Sequence, residues 1–200
     1  FPLVTSHAFN LWWLLLRPWD KAPHEQDFPL DTELVLGIVS YRTIGLILFF
    51  AAMILILVLL HRRRYAPYAL VLACAAAGWA FFNLPTEMHE RYSVTAVGFM
   101  CLLPFWERRW YLFATLASVT TTLNIITIAP FFLGGFRRTT QIINWIIWPD
   151  QHGVWTVLAF LHIAMLPLVI AALWRGPRIR GTPAFPVVEP GLTSSETKSS

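Results

Sequence analysis

The densest chemistry in the sequence lies in Asn83-Leu84-Pro85-Thr86-Glu87-Met88-His89-Glu90-Arg91-Tyr92, where four ionisable side chains stand between two apolar runs. Arg91 offers a planar, permanently charged fork of donors suited to a phosphate, and His89 adds a second donor or a proton shuttle. Glu87 and Glu90 repel one another unless something bridges them. A helical turn here would set Glu87 and Arg91, four residues apart, on one face, so that one orients the other. A metal held by Glu87, His89 and Glu90 lacks a supporting spacing, because His-Glu is followed by Arg-Tyr-Ser and not by the second histidine of a zinc-protease motif. Neither a metal nor a cofactor is expected. The plainer alternative, polar caps where two helices meet an interface, stands beside a substrate-contacting role.

Two charge-free runs, residues 66–84 and 93–106, must position this cluster, which places it at or beneath a lipid surface. Charge there is expensive and usually has a task. Roughly 15 residues separate Arg91 from Glu107 and the Arg108/Arg109 pair, about 22 Å of helix against a hydrocarbon core of about 30 Å. One end must dip. We expect the outer end to do so, with Pro85 breaking the helix and the cluster lining a wet cavity. Composition points the same way: 56% hydrophobic residues, 13% charged residues and a mean hydropathy of +0.57 describe a chain whose solvent is mostly lipid. The fold class is all-α, a multi-pass transmembrane helical bundle. The net charge of +4 would allow nucleic acid, but the arginines stand in blocks beside apolar runs, the pattern of topology signals, so nucleic acid is rejected as a partner. Cys74 and Cys101 fall inside apolar runs as small hydrophobes and imply no disulfide framework.

Five spans are predicted, at 34–60, 66–84, 93–106, 110–133 and 154–174, the third conspicuously short. Residues 1–33 form an outer-face segment. Its apolar run Ala8-Phe9-Asn10-Leu11-Trp12-Trp13-Leu14-Leu15-Leu16 reads as a half-helix or interfacial helix, with Ser6 as N-cap, Pro18 as stop and Trp12, Trp13 and Trp19 at the interface. The stretch 20–33 is polar, acidic and expected to be a solvated loop. Orientation follows from the basic residues: Arg62, Arg63, Arg64, Arg108, Arg109, Arg175, Arg178 and Arg180 lie on one side, expected to be cytoplasmic. The other side mixes Arg17, Lys21, Arg42, Arg91, Arg137 and Arg138 with most of the acids. Within 134–153, Ile142, Ile143, Ile146 and Ile147 recur at helical spacing beside Trp145 and Trp148, an amphipathic helix in the membrane plane. Residues 175–200 read as a disordered cytoplasmic tail. His162, Asn124 and Thr120 to Thr122 are expected to make interhelical hydrogen bonds. Asp150 and His152 are read as a solvated turn. Phe1 is followed by no signal-peptide pattern, and the chain reads as the C-terminal part of something longer.

The phrases Ala8-Phe9-Asn10-Leu11-Trp12-Trp13-Leu14 and Leu84-Pro85-Thr86-Glu87-Met88-His89-Glu90-Arg91-Tyr92 resemble the C-terminal half of polytopic glycosyltransferases of the GT-C class. Nearest in character are bacterial mannosyltransferase-like proteins related to the second mannosyltransferase of GPI-anchor synthesis. Glucosyltransferases that extend dolichol-linked oligosaccharides carry a similar His-Glu pair followed by Lys, where this chain keeps the charge as Arg91. The resemblance implies transfer of a mannose-like sugar from a polyprenyl-phosphate donor to a glycan, lipid or protein acceptor on the extracytoplasmic face of the cell membrane. It implies that Arg91 and His89 hold the donor phosphate, that Glu87 or Glu90 orients them, that Tyr92 belongs to the same substrate-binding set, and that Asn10, Trp12 and Trp13 shape the lipid or sugar site. The family's catalytic aspartate is expected upstream of Phe1, since Asp20, Asp27 and Asp31 do not match its context, so these residues alone are expected to be inactive. The rival class is a transporter or lipid flippase with an intramembrane charged site. A non-catalytic membrane scaffold is the third.

Overall fold

A computed structural model of the chain describes residues 8–16, 28–126 and 151–176, the side chains of 151–155 excepted. Ser6, Pro18, Trp19, the isoleucine-rich stretch 139–148, Asp150 and the tail 177–200 lie outside the described residues, as do Asp20, Asp27 and the end of the predicted fourth span. Six helices occur among those described: α1 (Leu11–Leu16), α2 (Tyr41–Arg62), α3 (Pro67–Asn83), α4 (Ser93–Met100), α5 (Trp110–Ile126) and α6 (Gln151–Arg175). A two-stranded antiparallel hairpin, β1 (Leu34–Val35) and β2 (Val39–Ser40), pairs Leu34 with Ser40 and Val35 with Val39.

The hairpin shortens the first predicted span at its start. Leu36 and Gly37 both take positive φ, 52° and 72°, and Ile38 N–H closes the turn on the Val35 carbonyl at 3.1 Å. Helix can begin only after that turn. It does so at Tyr41, with the Ser40 hydroxyl accepting from Thr43 N–H at 3.2 Å as N-cap. The remaining free donors of the first turn are met from the preceding loop: Tyr41 N–H donates to the Glu33 carbonyl at 3.2 Å and Arg42 N–H to the Asp31 carbonyl at 2.9 Å.

Helices α2 and α6 are long and apolar enough to cross a membrane; in α6 the qualifying stretch is Thr156–Arg175. Helices α3 and α5 are shorter, each described over 17 residues. The predicted third span is shorter still. Helix α4 stops at Met100 after 8 residues, about 12 Å of rise, and the chain continues through a 3-10 turn, Leu103–Phe105, at Pro104. Outward-facing positions on α2 are apolar, among them Ile47, Phe50, Ile54, Leu57 and Val58, the inverse of what water selects. Helix α3 is the centre, packing on α2, α4 and α6. Its inner face is Leu72, Ala75, Ala76, Trp79, Ala80 and Phe82, none more than 0% exposed.

Small residues set the distances. A Cβ on Gly78 would fall 2.9 Å from Ala96 on α4, and a Cβ on Gly45 would fall 2.8 Å from the carbonyl oxygen of Leu84. The second contact seats α2 directly on the loop that carries Glu87. At the opposite end, Arg63 caps α6 from another helix: its Nε donates to the Leu173 carbonyl at 3.0 Å and Nη2 to that of Trp174. Arg62 lies over the Trp174 ring at 4.8 Å. Gly45→Val should therefore cost about 1–3 kcal/mol by forcing backbone apart. Gly98→Ala, with nothing within 4 Å of its Cβ, should be neutral or gain up to about 1 kcal/mol in helix propensity. Thermal unfolding in detergent checks the pair, with equal midpoints contradicting the close approach.

Candidate functional site

The proline at position 85 ends α3 as expected, leaving Leu84 as C-cap. The last carbonyls of α3 then lack intrahelical donors, a serious cost away from water. Helix α1 supplies two. Asn10 Nδ2 donates to the Phe82 carbonyl at 3.3 Å, and Trp12 Nε1 donates to the Leu84 carbonyl at 2.7 Å. Asn10 also caps its own helix, Oδ1 accepting from Trp13 N–H at 3.1 Å, where the sequence pointed to Ser6. The two motifs quoted above, 72 residues apart, thus meet at one end of the bundle.

These bonds change the picture of α1. Trp12 and Trp13 are each 4% exposed and Asn10 is 0% exposed, so none presents itself at an interface. Trp13 packs edge-on to Phe9, with ring centroids 5.0 Å apart, in a cluster with Phe28, Leu158 and Ala159, while Trp12 meets Tyr41 edge-on at 5.8 Å. The side-chain amide of Asn10 and the indole N–H of Trp12 are committed to backbone. They position the site.

The ionisable cluster is partitioned. Glu87 sits at φ 59°, a left-handed conformation unusual for a non-glycine residue, so the helical turn that would have set it beside Arg91 is absent. It turns to α2 instead, its carboxylate 3.7 Å from Arg42 Nη2. A 3-10 turn, Glu90–Tyr92, leads into α4, with the Ser93 hydroxyl donating to the Glu90 carbonyl at 2.7 Å. Glu90 is buried and Arg91 exposed, with His89 between. Tyr92 holds the two bases together: the His89 ring stands edge-on to it at 5.7 Å and the Arg91 guanidinium lies 5.6 Å from its centroid. Phe81 on α3 backs Tyr92 at 5.6 Å.

Two members of this end escaped the sequence reading. Asp31, expected in a solvated loop, is 0% exposed, its carboxylate accepting no hydrogen bond among the described residues and lying 3.5 Å from Arg42 Nε. The positive end of α2, where its backbone carbonyl already serves Arg42 N–H, and the guanidinium together tolerate that buried charge. Arg42 thus links Asp31 to Glu87. The only available signal was Arg42 two residues beyond Ser40 at a helix start.

Deeper in the bundle, His162 is 0% exposed. Its Nδ1 lies 3.2 Å from the Phe9 carbonyl and must donate, since a carbonyl cannot; Nε2 is then an acceptor with no partner among the described residues. Asn83 donates to the carbonyls of Trp79 and His162 at 2.9 and 3.2 Å. The expected interhelical bonding is not what the His162 ring makes, since Phe9 precedes α1 and belongs to no helix; Thr120 bonds within its own helix, to the Ala117 carbonyl at 3.1 Å, and Thr122 is exposed. Among the described residues no three His, Cys, Asp or Glu side chains converge on a point that could take a metal ion.

Trp12→Phe keeps the ring and deletes one donor, so it should leave the Leu84 carbonyl orphaned at a cost of about 1–3 kcal/mol. The check is a lowered unfolding midpoint in detergent, together with faster proteolysis between α3 and α4. No family model matches the sequence, and no curated protein or solved structure matches it either.

Proposed function

We propose that the chain is the C-terminal part of a GT-C-like membrane glycosyltransferase that moves a mannose-like sugar from a polyprenyl-phosphate donor to an acceptor on the extracytoplasmic face. In this reading the five predicted spans form one multi-pass bundle. The observation that carries the reading is the joining of the two family-like motifs: Asn10 and Trp12 of the first hydrogen-bond the segment that opens the second. Segments far apart in sequence that build one end of a bundle around a charged loop are what a lipid-phosphate site requires.

The chemistry assigned to each residue follows from its placement. Arg91 and His89, flanking one aromatic ring and open to a ligand, hold the phosphate and stabilise the negative charge that grows on it as the glycosidic bond to the anomeric carbon breaks. Glu87 is directed at Arg42, so the arginine that it orients is Arg42, and buried Glu90 anchors the turn that aims Arg91. Asn10 and Trp12 act through the backbone they support, and Trp13 through the packing of its ring on Phe9. No general base is assigned.

A buried histidine inside a long apolar helix, one nitrogen unpaired among the described residues, is the observation that favours the transporter or flippase alternative. Transfer of labelled mannose from polyprenyl-phosphate mannose by membranes holding the intact protein separates the two. Arg91→Ala should lower turnover by about 10²-fold or more, the usual effect of removing one oxyanion donor, and His89→Ala by less, both at unchanged protein level. Unchanged turnover in both variants would remove their proposed role, and donor binding without product would favour transport.

A further inference from the structure

At the arginine end of the bundle, six arginines gather near the ends of α2, α5 and α6: Arg62, Arg63, Arg64, Arg108, Arg109 and Arg175. Four are already engaged or stand on exposed turns. Arg63 is taken up by the carbonyls of Leu173 and Trp174, and Arg62 by the Trp174 ring. Arg64 and Arg108 are exposed on turns. Arg109 and Arg175 differ, because both line a half-open cavity of about 260 Å³ between α5 and α6, with Trp110, Phe113, Leu168, Ala171 and Ala172 as its remaining wall.

The cavity combines two requirements that rarely coincide. Its mouth is cationic: Arg175 makes no ion pair among the described residues, and Arg109, whose Nε pairs with Glu107 at 2.5 Å, also bonds Tyr68 and lies over the Trp110 ring at 5.7 Å, which fixes its charge at the rim. Glu107 is itself fixed by the Tyr68 hydroxyl at 3.0 Å, which accepts from Trp110 Nε1 at 2.9 Å. This network holds the Arg109 side chain over its own edge of the groove. Below the mouth the wall is hydrocarbon and aromatic, and the two helices that form it expose further apolar residues, Leu112 on α5 and Phe160 on α6. A free phosphate would fill the mouth and leave the apolar wall wet, and a neutral lipid would bring no net charge to the two guanidinium groups that line it.

We infer that this groove binds one anionic phospholipid, its phosphate held between Arg109 and Arg175 and one acyl chain laid over Phe113, Leu168 and Ala171. The assignment is independent of sugar transfer and rests only on the chain lying in a bilayer. Cationic pockets between membrane helices take such headgroups, each basic residue adding modest affinity.

The test is native mass spectrometry of the purified, delipidated full chain titrated with dioleoyl phosphatidylglycerol or dioleoyl phosphatidylcholine. One phosphatidylglycerol should be retained in preference to phosphatidylcholine. Arg175→Gln, which leaves the Glu107 network untouched, should weaken it roughly fivefold, and Arg175→Lys should restore part of the loss. Ala171→Phe fills the apolar wall without altering charge and should weaken it as well, whereas Arg64→Gln should not. Helical content by circular dichroism confirms that each variant is folded. Equal retention of the two lipids, an equal loss with Arg64→Gln, no loss with Arg175→Gln and Ala171→Phe, or displacement of the lipid by millimolar inorganic phosphate would each overturn the assignment.

Discussion

The carbonyl of Leu84 is where the fold closes. It stands at the end of α3 with no helical donor left to meet it, because Pro85 turns the chain away. An indole N–H from α1 reaches it at 2.7 Å, and a glycine on α2 lets a second backbone come against it where any side chain would collide. Three segments are thereby fixed relative to one another by a single oxygen. The loop that begins there carries Glu87, His89, Glu90 and Arg91, so the placement of every charge at this end descends from how that oxygen is satisfied.

Satisfying backbone groups away from water explains other choices nearby. The start of α2 is served by the carbonyls of Asp31 and Glu33 and by the Ser40 hydroxyl; the end of α6 is served by an arginine from a different helix. In a soluble protein, water would meet many of these groups. Here the protein supplies its own donors and acceptors, and several of the side chains that look like ligand-binding candidates are consumed in doing so.

That consumption marks the boundary of what the sequence discloses. Charge-free runs, proline breaks and arginine blocks located α2, α3, α5 and α6 to within a few residues at most described ends, since hydropathy and helix stops are local properties. The shortness of the segment after Arg91 was legible for the same reason, although Pro104 cuts it further. Nothing local told that Trp12 faces inward, because an aromatic suits an interface and a core alike. The Glu87 to Arg91 pairing required a helical turn, and a left-handed residue removed it. Asp31 looked solvated since its neighbours are polar; only the fold brings α2 over it.

The Arg63 clamp has a mechanical corollary. It ties the C-terminal ends of the two longest helices together, tightly enough that a methyl group on Gly176 would strike the guanidinium at 2.6 Å. Near its other end α2 is held a second time, where Gly45 lies against the Leu84 carbonyl. Over the roughly 33 Å length of α2, a tilt of about 5° moves its far tip by about 3 Å. With no slack between Gly45 and Leu84, α2 cannot take such a tilt alone: the loop that carries Glu87 has to travel with it.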